Sequence, residues 1–349
     1  MCDIKRIPVT DAVGLVLAHD ITEIRKDEFK GRAFKKGYVV RPEDVCHLQN
    51  LGKEHLYALA LSDDEMHEDE AAYAMASALI GEGVQMAGEP EEGKINLISD
   101  RDGLLKVNHE VLARFNMLGE VMCATLHNNT AVKKGQVVAG TRAIPLVVKR
   151  RVIEEAVDVV KGGPKVIHVN ELRKPRAGIV ITGNEVYYGR IKDAFAPILV
   201  KKIESFGGEI IKIDYAPDDE AFIAGKLKEL IGMGADLLIT TGGMSVDPDD
   251  VTRFAIRSLG AADLTYGSAV LPGSMLLVAY IKKLQSQEFI PVIGIPACGM
   301  YHQITVFDLL LPRILADEHI GRKELAEMGH GGLCLNCEKC RYPVCPFGK

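Results

Sequence analysis

The chain has 349 residues, 47% of them hydrophobic, which is enough for two or three domains with cores of their own. Its formal net charge of −6 argues against a nucleic-acid surface, because such a surface needs clustered basic residues. No apolar run approaches membrane-spanning length, and the first residues lack the apolar core of a signal peptide. We therefore expect a cytoplasmic protein that binds neither nucleic acid nor membrane.

Residues 1–170 predict a β-rich α+β region. Between 94 and 148, short β-prone runs alternate with turns, and this spacing is typical of a small barrel or sandwich. Acidic residues crowd 63–70, which we interpret as a solvated helix entry before an alanine-rich helix. A second helix is predicted over 150–161. Gly162-Gly163-Pro164 then marks a break before the next domain.

Residues 171–320 predict an α/β domain. Strands and helices alternate here, a pattern that indicates βαβ units and a mostly parallel sheet with helices on both faces, in three layers. We expect strands near 178–182, 209–214, 236–240, 276–281 and 291–295. We expect helices near 195–206, 219–232, 249–259 and 300–316. Residues 321–349 follow as a tail that is rich in cysteine.

Two turns after predicted strands carry most of the candidate site residues. They are Thr182-Gly183-Asn184-Glu185 and Thr240-Thr241-Gly242-Gly243-Met244-Ser245. Turns at the carboxyl ends of parallel strands face one crevice, where open α/β sheets bind ligands. Glycines let the backbone approach a bound group, and a helix N-terminus offers N–H groups to an anion. The structural alternative is a capping pattern, with Ser245 or Asp247 as N-cap and Asp250 after it, that needs no ligand.

These turns resemble the molybdopterin-binding domain of molybdenum cofactor biosynthesis proteins, in the gephyrin and molybdopterin molybdotransferase group. The likeness covers about 172–318 and continues at Gly189-Arg190-Ile191, Leu271-Pro272-Gly273 and Gly294-Ile295-Pro296. The resemblance implies that molybdopterin or adenylated molybdopterin is bound by a set of turn residues. These residues are Thr182, Gly183, Thr241, Gly242, Gly243, Met244, Ser245, Pro272, Gly273 and Pro296.

The resemblance also implies catalytic carboxylates and a homodimer or homotrimer. Glu185 and Asp250 would hold Mg2+, and Asp193 would orient water or the metal. Three turns depart from the family's pattern, however. The chain has Asp193-Ala194-Phe195 for Asp-Ser-Asn, Pro272-Gly273-Ser274-Met275 for Pro-Gly-Lys-Pro, and Ala297-Cys298-Gly299 for Gly-Asn-Pro. Polar side chains and a phosphate-binding cation are thereby lost, so the resemblance leaves insertion of the metal open.

Four of the eight cysteines lie close together near the C-terminus, in the spacing C-x2-C-x2-C-x4-C-P. They are Cys334, Cys337, Cys340 and Cys345. Such clustering is typical of metal ligation in a reducing compartment rather than of a secreted disulfide framework. The spacing resembles ferredoxin iron–sulfur ligation, one residue longer in the last gap, and Zn2+ held by four thiolates is the other interpretation. A reduced tail without metal is the third. Gly331-Gly332 predicts a flexible hinge before this segment.

Three functions agree with these features. The first is an enzyme of molybdenum cofactor biosynthesis, similar to molybdopterin molybdotransferases, that inserts metal into the pterin. The second is a non-catalytic carrier or sensor of a molybdenum or tungsten cofactor, coupled through its tail to a molybdoenzyme or a cofactor-synthesis protein. The third is a nucleotide-metabolising relative, because a fold does not determine a function.

Overall fold

The computed structural model describes residues 5–15, 17–25, 29–36, 38, 40–58, 62–163, 165–244, 247, 250–283 and 287–349. The chain divides into two compact units, 1–169 and 170–349. Within the described ranges, every helix is too short or too polar to span a bilayer.

The described residues between 5 and 58 form a small part of the first unit with a core of its own. The elements are β1 (Lys5–Pro8), a 3-10 turn (Val9–Asp11), β2 (Ile21–Arg25), β3 (Phe29–Phe34), α1 (Asp44–Asn50) and β4 (His55–Ala58). Strand β1 pairs with β4, and β2 pairs with β3, both antiparallel. The side chains buried between them include Val9, Leu17, Ile21, Leu48 and Leu56.

The rest of the first unit packs three helices against short sheets. Its strands are β5 (Glu65–His67), β6 (Val84–Met86), β7 (Lys94–Ser99), β8 (Gly103–Val107), β9 (Val121–Thr125), β10 (Thr130–Val132), β11 (Val137–Ala143), β12 (Val147–Lys149) and β13 (Ile167–Glu171). Its helices are α2 (Glu68–Leu79), α3 (His109–Asn116) and α4 (Arg150–Lys161). The sheets have the strand orders β6-β7-β11-β9, β10-β8-β13 and β12-β5. Helix α2 lies at the centre, with Ala72, Met75 and Leu79 fully buried.

The acidic segment 63–70 is solvated only in part: Asp63, Asp64 and Glu70 are exposed, but its middle is buried, and there the prediction of a solvated helix entry is wrong. Glu65, His67 and Glu68 are all buried, and Glu68 is only 6% exposed. The Glu68 carboxylate lies 3.9 Å from the Arg142 guanidinium. Burial, helped by the neighbouring Asp69, raises the pKa of Glu68 to about 7. Tertiary partners such as Arg142 make this burial possible, and they are distant in sequence.

The second unit is built on one six-stranded sheet. Its strands are β14 (Arg176–Thr182), β15 (Glu209–Ala216), β16 (Leu237–Thr241), β17 (Ala262–Tyr266), β18 (Leu277–Lys282) and β19 (Phe289–Ile295), in the order β15-β14-β16-β19-β18-β17. The first four strands in this order are parallel, whereas β18 runs antiparallel to both neighbours. The sheet is therefore mixed but mostly parallel, as predicted, because only β18 runs against the other strands. The connection 283–288 is too short for the crossover that a parallel β18–β19 pair needs.

Helices cover both faces of this sheet, which confirms the α/β class. They are α5 (Asn184–Tyr187), α6 (Phe195–Glu204), α7 (Glu220–Gly232), α8 (Thr252–Ser258), α9 (Val306–Leu315) and α10 (Arg322–Glu327), with a 3-10 turn at Ala297–Met300. Side chains alternate along each strand, so β14 buries Ile179 and Ile181 on one face and Val180 on the other. Helices α6 and α9 pack on the first face, and α7 and α8 on the second.

Two helices begin later than the sequence predicts. Helix α8 starts at Thr252 with Val251 as N-cap, rather than after Ser245 or Asp247. The carboxylate of Asp250 accepts the Asp247 backbone N–H (3.2 Å), and this bond stabilises a turn ahead of the helix. Helix α9 starts at Val306, after the capping box that Thr305 forms with Asp308. Ser245 and Pro248 lie outside the described residues.

Candidate functional site

The two predicted turns meet at the carboxyl ends of neighbouring strands. Strands β14 and β16 are adjacent and parallel, with Ile181 opposite Thr241. The Thr182 hydroxyl donates to the Thr241 carbonyl (2.6 Å) and lies 3.2 Å from the hydroxyl of Thr252 at the start of α8. All three threonines are buried. These contacts bring the ends of β14 and β16 and the start of α8 together at one edge of the sheet.

The diglycine turn after β16 requires glycine at both positions. Gly242 has φ +76° and Gly243 has φ +59°. A Cβ on Gly242 would lie 2.6 Å from the Thr182 carbonyl oxygen, and one on Gly243 would lie 2.2 Å from the Thr252 hydroxyl. A residue with a Cβ is therefore disfavoured at both positions, because φ is positive and because the Cβ would be too close to its neighbours. Both glycines are half-buried, and their lack of a side chain leaves room for Thr182 and Thr252.

Three buried polar atoms at or near this turn lack a hydrogen-bond partner among the described residues. They are the hydroxyl oxygens of Thr240 and Thr241 and Nε of Arg253. The Arg253 guanidinium lies 5.8 Å from the ring centre of Tyr266, whose hydroxyl donates to the Met244 carbonyl (2.5 Å). The Thr241 side chain is on the sheet face of Ile181, which α6 and α9 cover, whereas α8, which carries Arg253, packs on the other face. Buried polar groups nearly always have partners, so the buried Nε of Arg253 is a candidate donor to a bound group. A cationic donor favours an anion.

Arg253 was not predicted from the sequence as a site residue, although its position carried a signal. It follows Asp250 by three residues and falls in the first turn of α8. The resemblance places a lysine near Pro272-Gly273, where this chain has Ser274 and Met275. Arg253 supplies a cation from another element of the same unit.

The turn that follows β14, Thr182-Gly183-Asn184-Glu185, places a carboxylate at the same edge of the sheet. Gly183 has φ +135°, and a Cβ there would lie 2.7 Å from Oε1 of Glu185. The Glu185 carboxylate therefore folds back over Gly183 while its side chain stays exposed. The Asn184 backbone N–H donates to the Asp218 carboxylate (3.0 Å), which fixes the turn to the end of β15.

Asp193 and Asp250, the other two predicted catalytic carboxylates, already accept hydrogen bonds. Asp193 accepts the backbone N–H groups of Phe195 (2.8 Å) and Ala196 (3.1 Å) and the Tyr215 hydroxyl (3.2 Å). This geometry caps α6. Asp250 is half-buried and accepts one bond, from Asp247. Across the described ranges, His, Cys, Asp and Glu side chains nowhere gather in threes in a way that would hold a metal ion.

Three further predicted binding residues lie in turns that adjoin the core. The Met244 side chain is 2% exposed and packs against Gly294, so only its backbone is available to a ligand. Gly273 has φ +125°, and a Cβ there would lie 2.3 Å from Cγ1 of Val306. Pro296 is buried at the end of β19. Ser245 lies outside the described residues.

The four tail cysteines line one cavity of about 320 Å3, together with residues 301–304. None of the four forms a disulfide within the described part of the chain. The glycine pair before them is held in place, contrary to the predicted flexible hinge. The Gly332 carbonyl accepts the Leu271 N–H (2.8 Å), and a Cβ on Gly332 would lie 2.4 Å from the Met328 carbonyl oxygen.

Family comparisons match two segments of the chain. Residues 178–316 match a family described as a probable molybdopterin binding domain, and residues 6–60 match a domain of unknown function. A CinA-like protein of Mycolicibacterium vanbaalenii is 38% identical over 95 residues, which is 27% of this chain and 22% of that protein. The chain thus matches about a fifth of the length of that curated relative.

Solved structures similar to part of the chain include two proteins called MoaB. The tungsten cofactor synthesizing protein MoaB from Pyrococcus furiosus has 17% identity and a TM-score of 0.33, covering 42% of this chain and 98% of its own. The molybdopterin biosynthesis enzyme MoaB from Thermus has 18% identity and a TM-score of 0.34, covering 41% and 98%.

Proposed function

We propose that residues 178–316, which form a molybdopterin-binding domain, bind a phosphorylated pterin at the carboxyl edge of the sheet as part of molybdenum cofactor biosynthesis. The observation that carries this proposal is the buried Nε of Arg253, in the first turn of the helix that follows the diglycine turn, which has no hydrogen-bond partner among the described residues. The Gly242 and Gly243 backbone would face the phosphate. Arg253 would neutralise part of its charge.

Glu185 and Asp250 are the carboxylates that would hold Mg2+, which when bound supplies positive charge against the phosphates. Glu185 suits this role because its side chain is exposed at the sheet edge. Asp250 has a second carboxylate oxygen besides the one that accepts the Asp247 N–H. Thr182 is engaged with Thr241, so it would position the turn rather than contact the phosphate.

A non-catalytic carrier or sensor is the second candidate, and one observation favours it. Both oxygens of Asp193, a predicted catalytic residue, are occupied in capping α6. A carboxylate engaged in this way is poorly placed to orient water. An assay for molybdate- or tungstate-dependent conversion of the bound pterin separates an enzyme from a carrier.

The test of pterin binding is an anaerobic fluorescence titration with molybdopterin. We expect Arg253→Gln to weaken binding about tenfold or more, since a charged hydrogen bond contributes about 1.5–3 kcal/mol. Arg257→Gln is the matched control, because Arg257 is exposed in the last turn of the same helix. Equal losses in both variants, or no binding by the unaltered protein, would refute the proposed site.

A further inference from the structure

Tyr266, the last residue of β17, contacts two parts of the proposed pterin site. Its hydroxyl donates to the carbonyl of Met244 (2.5 Å), the residue directly after the diglycine turn. Its ring lies beside Arg253, whose guanidinium carbon is 5.8 Å from the ring centre. The ring of Phe254 lies 4.9 Å from the same guanidinium carbon. One side chain, Tyr266, therefore joins the turn that would face the phosphate to the cation that would neutralise it.

The backbone that carries Tyr266 is held by other elements of the second unit. Arg322, the first residue of α10, donates to the carbonyls of Tyr266 (2.9 Å) and Gly267 (3.3 Å). The Gly267 N–H donates to the Leu276 carbonyl (2.8 Å). The Tyr266 side chain is half-buried and packs, like Met244, on the sheet face that α7 and α8 cover. The ring and the hydroxyl are therefore fixed in place and restrict the groups that they contact.

The same segment of chain also contacts the turn at Pro272-Gly273. The Ser268 N–H donates to the Ser274 carbonyl (2.8 Å), and the Ser268 hydroxyl donates to the Gly273 carbonyl (3.1 Å). Residues 266–268 thus contact two of the predicted pterin-binding turns.

A fixed donor binds an anion better than a mobile one, because the entropy of ordering it is lost before the ligand arrives. An arginine side chain has many rotamers, so ordering it is costly. A cation beside the face of an aromatic ring is attracted to it, which favours the rotamers that keep the Arg253 guanidinium at Tyr266. The hydrogen bond to Met244 restricts the backbone of the turn in the same way.

We propose that Tyr266 is a positioning residue of the pterin site. Its ring orders the Arg253 guanidinium and its hydroxyl orders the diglycine turn, so that both are ready to bind the phosphate of the ligand. This inference rests on the pterin binding proposed for the domain. Tyr266 acts through Arg253 and Met244 rather than by touching the ligand, and its effect is confined to ligands that carry phosphate.

The first test compares molybdopterin with its dephosphorylated form in an anaerobic fluorescence titration of the full chain. Tyr266→Leu removes the ring and the hydroxyl. It should weaken binding of molybdopterin about fivefold or more and leave the affinity for the dephosphorylated form unchanged. Equal losses for both ligands, or no loss for molybdopterin, overturn the inference and leave pterin binding standing. If the unaltered protein does not bind molybdopterin, the proposed function is refuted and the inference falls with it.

A double-mutant cycle with Arg253→Gln separates the ring from the hydroxyl and needs molybdopterin alone. Tyr266→Phe keeps the ring and should weaken binding about threefold, with or without Arg253. In the Arg253→Gln background, Tyr266→Leu has no guanidinium to position, so its loss should shrink to that of Tyr266→Phe. A loss of the same size for Tyr266→Leu in both backgrounds contradicts positioning of Arg253. Full affinity in Tyr266→Phe, which preserves the packing of the ring, contradicts the role of the hydroxyl.

Tyr280→Phe is the matched control. Tyr280 is buried in the same sheet, and its hydroxyl accepts the Ile320 backbone N–H (2.6 Å). It pairs with Pro291, near the start of β19, whereas the proposed site lies at the carboxyl ends of β14 and β16. The variant therefore loses a similar hydrogen bond outside the site and should keep its molybdopterin affinity. If Tyr280→Phe weakens binding as much as Tyr266→Phe does, the losses reflect general destabilisation and the inference is wrong.

Discussion

Arg253 is a cation on α8, outside the turn where the resemblance leads one to expect a cation. The resemblance leads one to expect a cation in the turn at Pro272, where the chain has Ser274 and Met275 instead. Arg253 lies on α8, and its guanidinium is beside the Tyr266 ring. Its position could be read from the sequence, but the burial of its Nε, which has no partner among the described residues, could not, because burial depends on tertiary packing.

The buried Glu68 carboxylate should make the stability of the protein depend on pH. Burial raises its pKa to about 7 from 4.5, so the folded state binds the proton more tightly than the unfolded state does. This contribution to stability is complete below pH 4.5 and is lost as the pH rises through 7. Glu68→Gln should therefore be more stable than the unaltered protein above pH 7, by at most about 3 kcal/mol.

Urea unfolding at several pH values measures this effect. The variant and the unaltered protein should converge near pH 4.5 and separate as the pH rises. Glu70→Gln is the matched control, because Glu70 is exposed on the same helix. Parallel stability profiles for Glu68→Gln and the unaltered protein would show that the buried carboxylate is not responsible.

The Asp193 carboxylate caps helix α6. It accepts two backbone N–H groups at the start of α6. Asp193→Ala should lower the free energy of unfolding by about 1–2 kcal/mol, the usual loss for a removed cap. Asp219→Ala, which removes the N-cap of α7, provides a reference of the same kind. A loss below about 0.3 kcal/mol in chemical denaturation would contradict the capping role.

The elements that sequence predicts well are those with strong apolar periodicity. Helix α7 and strands β14, β16 and β19 lie close to the predicted ranges, because continuous apolar runs mark buried parallel strands. Strand β17 was missed because Ala262–Tyr266 is short and partly exposed. The start of α8 was misplaced because Asp250, expected inside the helix, uses its carboxylate to stabilise a preceding turn.

Every described candidate site residue lies in the second unit. That unit has its own sheet and its own two cores. We expect residues 170–349, expressed alone, to unfold cooperatively and to bind molybdopterin with the affinity of the full chain. Circular dichroism and the fluorescence titration measure both properties. A soluble, folded fragment that fails to bind would assign part of the site to the first unit.

The proposed site places phosphate on the diglycine turn beside Arg253. A crystal structure of the full chain with bound molybdopterin tests it most directly. We predict phosphate oxygens within about 3.2 Å of the Gly242 or Gly243 N–H and of the Arg253 guanidinium. A pterin bound elsewhere in the second unit, with Arg253 Nε still unpartnered, would contradict the account.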